Sequence, residues 1–175
     1  MIINEGVTKV IFMDCDGVIN YTQWYSSDRN PGNVDGNEGD IDPLCVERII
    51  RICNETGAKI VLSSDWRISW PGSLIRLENS GFPKGLIIDK TPEHIWKLMG
   101  YKDYMLSEED EDYENSRGSE IDEWLKLHPQ ITNYVIIDDR ADFTENQQPH
   151  FVHVDSYVGL TDENTELAIG ILKTI

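Results

Sequence analysis

The chain has 175 residues with 15 basic and 32 acidic side chains, which gives a formal net charge of −17. A field of that sign repels polyanions, so duplex nucleic acid is not expected as a partner unless a local basic groove exists. This length accommodates one domain with its own core, and we expect a single domain over residues 1–175.

The cysteines and the absence of long apolar runs indicate the compartment. No stretch approaches the roughly 18 consecutive apolar residues of a membrane span, and the first residues contain no apolar leader. The three cysteines form an odd number without CxxC spacing, which is typical of reduced thiols inside cells. We therefore expect a cytoplasmic protein with no membrane partner, and the sequence does not indicate its oligomeric state.

Strand and helix patterns alternate along the chain. Apolar runs predict strands at Lys9–Met13, Lys59–Leu62, Gly85–Ile88, Tyr134–Ile137 and Phe151–Val154. Helical spacing predicts helices at Pro43–Thr56, Ser73–Asn79, Pro92–Met99, Ser119–Leu127 and Glu163–Leu172. Asp42 and Ser119 are expected N-caps, and Gly57 is the expected end of the first helix. This alternation predicts an α/β fold with a parallel sheet.

Two segments lack such patterns. Residues 18–41 are rich in Gly, Asn, Asp and Pro beyond their aromatic beginning and predict an irregular flap. Residues 107–116 contain six acids and predict a solvated acidic insertion. Three aromatic residues, Tyr21, Trp24 and Tyr25, open the flap; they are equally compatible with base stacking and with core packing.

The first predicted strand runs directly into two carboxylates, Asp14 and Asp16. In an extended chain they point to the same side, and Gly17 then permits a sharp turn. Such a pair repels unless a cation or a proton lies between its members. The pattern favours a chemical site, and the alternative is an acid pair that only caps the next element.

Two further predicted strands also end in polar residues. Ser63 and Ser64 follow the second strand, and Asp138 and Asp139 follow the fourth. Arg67 lies close behind the serines, where its guanidinium has either a substrate phosphate or a neighbouring aspartate as its expected partner. Because ligand sites in open α/β sheets lie beyond the carboxyl ends of the strands, we expect these residues to line one site.

The ordered motifs resemble those of the haloacid dehalogenase (HAD) superfamily of phosphotransferases, and the resemblance extends from Val10 to about Leu172. It implies a three-layer α/β/α Rossmann-like sheet with at most a small flap or cap insertion. Asp14 would be the nucleophile that forms an aspartyl-phosphate, and Asp16 would exchange protons with the leaving group and with water. Mg²⁺ would be the cofactor, bound by Asp14, the Asp16 backbone carbonyl and Asp138, with Asp139 bound directly or through water.

The resemblance also implies a phosphate-binding serine and a cation beside the nucleophile. Ser63 is the expected phosphate-binding residue, with Ser64 as the alternative. Arg117 is the expected cation, because it precedes the helix that leads into the fourth strand; Lys90 and Lys102 are the alternatives.

The stretches Ser-Ser-Asp-Trp-Arg at 63–67 and Arg117-Gly118-Ser119-Glu120 further resemble a swapped-HAD branch found in some RNA-repair proteins. This resemblance implies a hydrolase of phosphoric monoesters. The expected substrate is a nucleotide or a phosphorylated nucleic-acid end, and the alternative is a sugar or other metabolite phosphate. A hypothesis of another class is a non-catalytic module that binds magnesium or phosphate.

Overall fold

The computed structural model describes residues 6–32, 39–93 and 117–174. Its strands are β1 Lys9–Met13, β2 Lys59–Leu62, β3 Ile87–Lys90, β4 Asn133–Asp138 and β5 Phe151–His153. Its helices are α1 Thr22–Tyr25, α2 Pro43–Thr56, α3 Gly72–Asn79, α4 Arg117–Leu127 and α5 Asp162–Lys173. Short 3₁₀ segments cover Asp65–Ser69 and Gln148–His150.

The strands form one parallel sheet in the order β3-β2-β1-β4-β5. β1 lies at its centre, where Val10 is in register with Lys59 of β2 and with Tyr134 of β4. The residues of β1 from Val10 to Met13 are fully buried, as expected of a strand covered on both faces. The predicted α/β fold class is confirmed.

Side chains of β1 alternate between two cores, one on each face of the sheet. Ile11 and Met13 belong to the larger core, which α2 and α5 cover. Val10 and Phe12 belong to the smaller core, which α4 covers with Ile121 and Trp124 among others. The helices on opposite faces make the three-layer arrangement that the sequence predicted.

The local signals of α2 are confirmed. Asp42 caps the helix by accepting a hydrogen bond from the Leu44 backbone N–H at 3.0 Å. At the other end, Gly57 adopts the left-handed conformation with φ of 76°, which glycine tolerates without a steric penalty. The bounds of α2, like those of β1 and β2, coincide with the predicted ones.

Other boundaries differ from the prediction. β3 begins two residues later than expected and includes Asp89 and Lys90, because Gly85 lies in a turn with φ of 75°. Ser119 is not an N-cap, because α4 already includes Arg117 and Gly118. β4 is one residue longer than expected at each end, because it includes Asn133 and Asp138. The Asp138 carbonyl accepts from the Val154 N–H at 2.9 Å.

Some predicted segments lie outside the described residues. They include positions 94–99 of the predicted helix Pro92–Met99, and the acidic insertion at 107–116. In the flap, the described part contains α1, a helix of a single turn. Within the part of the chain that the structure describes, no helix is long and apolar enough to cross a membrane.

Candidate active site

Three polar strand ends meet where the order of the sheet reverses around β1. Beyond the strands, the Asp14 N–H donates to the Ile137 carbonyl at 3.0 Å, and the Ser63 N–H donates to the Met13 carbonyl at 2.9 Å. These bonds continue the ladder and hold Asp14 between Ser63 and Asp138. The order of the strands therefore places a crevice at this point, where open α/β sheets generally bind their ligands.

A buried arginine from α4 lies between two of the carboxylates. Arg117 Nη1 is 2.9 Å from Asp14 Oδ1 and 3.3 Å from Asp138 Oδ2, and it also donates to the Ser63 carbonyl. Burial by itself lowers the pKa of Arg117, but the neighbouring carboxylates, Asp14 first, raise it above its usual value. The guanidinium therefore stays charged and offsets part of the charge of the acids.

The two buried carboxylates are destabilised in their charged form. Burial is the main cause that raises the pKa of Asp14, while Arg117 and a hydrogen bond from Ser64 oppose the shift. Burial and then the charge of Asp14 raise the pKa of Asp138 to about 8, again against Arg117. One arginine does not fully compensate two buried acids, so a further positive charge would stabilise the site.

A third acid completes a group with the spacing of metal ligands. Three carboxylate oxygens lie within 4.8 Å of one another, one each from Asp14, Asp138 and Asp139. Asp139 packs against Gly17, where φ is 79° and a Cβ would stand 2.4 Å from Asp139 Oδ2. Three convergent carboxylates fit Mg²⁺, which prefers oxygen ligands and usually retains several waters.

Asp16 lies outside this group of side chains. It is exposed, and its two oxygens accept hydrogen bonds from different donors: Asn20 Nδ2 at 2.6 Å and Trp66 Nε1 at 3.0 Å. Metal binding by its backbone carbonyl remains a prediction. Sequence reasoning missed both donors; the only signal was the placement of Asn20 four residues beyond Asp16, across the Gly17 turn.

The two candidate serines differ in their contacts. The Ser64 hydroxyl hydrogen-bonds Asp14 and accepts weakly from the Trp66 backbone N–H at 3.4 Å. The Ser63 hydroxyl is buried and has no hydrogen-bond partner among the residues that the structure describes. This difference favours Ser63 over Ser64 as the residue with a hydroxyl still available to a ligand.

Arg67 is engaged elsewhere. Its Nη2 donates to both oxygens of Glu120 at 2.7 Å, and the two residues are only 2% and 3% exposed. Arg67 Nη1 also lies 3.8 Å from Oδ1 of Asp65, a neighbouring aspartate of the kind that the sequence suggested. Sequence reasoning missed Glu120, which no local signal indicates. Binding of a phosphate by Arg67 stays a prediction; its buried Nε and Nη1 have no hydrogen-bond partner among the described residues.

Of the two lysines that were alternatives to Arg117, one has other partners and one lies outside the described residues. Lys90 Nζ donates to the Arg67 carbonyl at 3.1 Å and pairs with Glu93, whereas Lys102 lies outside the described residues.

Cys15 is fully buried, and burial, followed by the charge of Asp14, raises the pKa of its thiol well above the usual value. A protonated thiol is a poor nucleophile.

The site opens into a cleft of about 360 Å³, whose lining includes Asp14, Asp16, Arg117 and Asp139. The flap aromatics differ in burial. Trp24 is core, with 1% exposure, whereas Tyr25 lines the cleft with 49% of its surface exposed. Tyr21 also lines the cleft, and its hydroxyl donates to Asp42 at 2.6 Å.

A family model described as the HAD domain in Swiss Army Knife RNA repair proteins matches residues 10–165. The chain belongs to this family. No curated protein and no solved structure gives a match. Membership in the family supports a phosphohydrolase of the HAD type, and the predicted resemblance to the RNA-repair branch is confirmed.

Proposed function

We propose that this HAD domain is a magnesium-dependent phosphomonoesterase that works through a phosphorylated Asp14. The observation that carries the proposal is the position of Asp14. Its carboxylate lies at the end of the central strand, 2.9 Å from the Arg117 guanidinium and beside two further acids. A buried nucleophile next to a fixed cation suits phosphoryl transfer, in which positioning and charge stabilisation supply most of the catalysis.

Two steps account for the net hydrolysis. In the first, an Asp14 oxygen attacks phosphorus, the bond to the leaving oxygen breaks, and Asp16 gives that oxygen a proton. In the second, water attacks the acyl-phosphate, Asp16 accepts the proton of that water, and the bond between phosphorus and Asp14 breaks. Arg117 offsets negative charge in both steps, and Ser63 offers its hydroxyl to a phosphate oxygen.

The donor set fits a divalent cation. Asp14, Asp138 and Asp139 would hold Mg²⁺, together with the carbonyl of Asp16. When bound, Mg²⁺ would neutralise charge on the phosphate oxygens. The raised pKa values of Asp14 and Asp138 support this assignment, because burial, their main cause, is offset only in part by Arg117.

The proposed substrate is a nucleotide or a phosphorylated nucleic-acid end. The family's description as a domain of RNA repair proteins supports it. So does the exposed ring of Tyr25 on the cleft, which is available for stacking on a base or a sugar. A sugar or other metabolite phosphate is the alternative substrate.

Phosphate release from a panel of substrates tests the proposal. The panel contains nucleotides, sugar phosphates and 3′- or 5′-phosphorylated oligonucleotides, each with and without Mg²⁺. We expect release with Mg²⁺ and a preference for nucleotides or oligonucleotide ends. Preference for sugar phosphates would support the alternative substrate, and phosphate binding without any release would support a non-catalytic module.

Asp14→Asn is the decisive variant. We expect no measurable turnover on any substrate, because an amide cannot form the acyl-phosphate. Asp28→Asn is the matched control, since it removes an exposed carboxylate that does not line the cleft, and it should retain wild-type activity. Substantial activity of Asp14→Asn would exclude Asp14 as the nucleophile.

A further inference from the structure

The side chain of Asp16 is held at two points by residues from two different elements. Asn20 Nδ2 donates to Oδ1 at 2.6 Å from the turn after β1. Trp66 Nε1 donates to Oδ2 at 3.0 Å from the 3₁₀ segment after β2. Asp16 itself is exposed, and an exposed carboxylate without such donors would sample several rotamers. Two donors on separate oxygens restrict its rotation.

Both donors are themselves fixed. Asn20 is buried, and its backbone carbonyl accepts from the Gly17 N–H at 2.8 Å, which closes the turn. The Trp66 ring packs against the larger core, and the Arg76 guanidinium lies 4.2 Å from its centroid. Arg76 in turn pairs with Asp40. The Trp66 ring that donates this N–H is therefore held in a fixed position.

The two hydrogen bonds leave Asp16 able to exchange a proton. A carboxylate offers about four lone-pair sites, and two donors occupy two of them. The Asp16 side chain is not a member of the group formed by Asp14, Asp138 and Asp139. Asp16 therefore keeps a separate location, as a group that exchanges protons with the leaving oxygen requires.

We propose that Asn20 and Trp66 are positioning residues that hold the Asp16 carboxylate at the leaving oxygen. The inference rests on the proposed function, because it gives Asp16 the part of general acid and base. It adds two residues that contact the Asp16 carboxylate, and it assigns the tryptophan of the Ser-Ser-Asp-Trp-Arg stretch a part in proton transfer. Misplacement of Asp16 should slow reactions whose leaving group needs protonation.

Trp66→Phe removes the indole N–H and keeps an aromatic ring beside Arg76. We expect kcat to fall on the order of tenfold on an alkyl phosphate, and to fall much less on an aryl phosphate with an acidic leaving group. Vanadate affinity should stay at the wild-type value. Trp70→Phe is the matched control, because Trp70 packs against the same core as Trp66 and does not line the cleft, and it should leave both rates unchanged.

A double variant separates positioning from a general structural effect. In the Asp16→Asn background, Trp66→Phe should cause no further loss on the alkyl phosphate, because the group that it positions is gone. Asn20→Leu should reproduce the leaving-group dependence of Trp66→Phe with unchanged vanadate affinity.

Two results would have different meanings. If Asp16→Asn loses rate equally on both esters, Asp16 is not the acid and the proposed function is wrong on that point. If Asp16→Asn shows the leaving-group dependence but Trp66→Phe does not, or if Trp66→Phe also slows the Asp16→Asn variant, the positioning inference is overturned.

Discussion

At the scale of single residues, Arg117 connects the three strand ends of the site. Its guanidinium lies against Asp14, Asp138 and the Ser63 carbonyl, and it is 7% exposed. Such a charge in a water-poor site acts more strongly than a surface charge would, because little solvent screens it. Substitution of Arg117 should therefore affect binding and catalysis together.

We expect Arg117→Ala to lower kcat and to weaken vanadate binding. Arg117→Lys should restore part of both, because it returns the charge without the planar fork of donors. Lys90→Ala is the control, since Lys90 pairs with Glu93 and the Arg67 carbonyl, and Lys102→Ala tests the other alternative; both should change little. Steady-state kinetics and vanadate titration measure these effects. An active Arg117→Ala beside an inactive lysine variant would show that the cation is misassigned.

At the scale of elements, α4 serves the core and the site at once. Ile121 and Trp124 bury one part of it, while its first turn carries Arg117. Gly118 permits close packing there, because a Cβ at that position would stand 2.6 Å from Gln147 Oε1. The position of Arg117 therefore depends on how α4 docks on the sheet.

The buried pair of Arg67 and Glu120 ties α4 to the segment after β2. Arg67→Met should destabilise the fold by about 3 kcal/mol, because it leaves a buried carboxylate without its arginine. Urea unfolding measures this loss. The double variant Arg67→Met with Glu120→Leu should recover much of it, since no buried charge of the pair remains.

Vanadate affinity distinguishes the structural role of Arg67 from its predicted role as a phosphate ligand. We expect the double variant to bind vanadate nearly as well as the wild type. A stable double variant that has lost vanadate binding would instead make Arg67 a ligand of the phosphate.

At the scale of the whole molecule, the chain carries a net charge of −17, and three carboxylates converge at the acid group of Asp14, Asp138 and Asp139. Mg²⁺ at 100 times its dissociation constant should stabilise the protein by about 2.7 kcal/mol, as binding to the folded state alone requires. Thermal unfolding with Mg²⁺, with excess chelator and with matched ionic strength measures this effect.

Variants and turnover test the same site. Asp138→Asn should reduce the thermal shift, while Asp155→Asn, an exposed aspartate beyond β5, should preserve it. Chelator should also abolish phosphate release. Full turnover in excess chelator would contradict the magnesium dependence.

The sequence by itself determined most of the strands and helices, because their signals are local. Apolar runs specified β1 and β2, and Asp42 and Gly57 specified the ends of α2. The acids and serines at strand ends were also visible, since the carboxyl ends of parallel strands share one edge. The sequence did not predict the shift of β3 or the early start of α4, because turn geometry and packing determine these boundaries.

Only the tertiary structure decided which partners the site residues have. Trp66 reaches Asp16 across 50 residues, and Arg67 pairs with Glu120 across 53. Arg117 meets Asp14 because α4 docks beside the central strand. Periodicity and capping act over a few residues, whereas these contacts depend on the order of the strands and the docking of helices, so no local pattern specifies them.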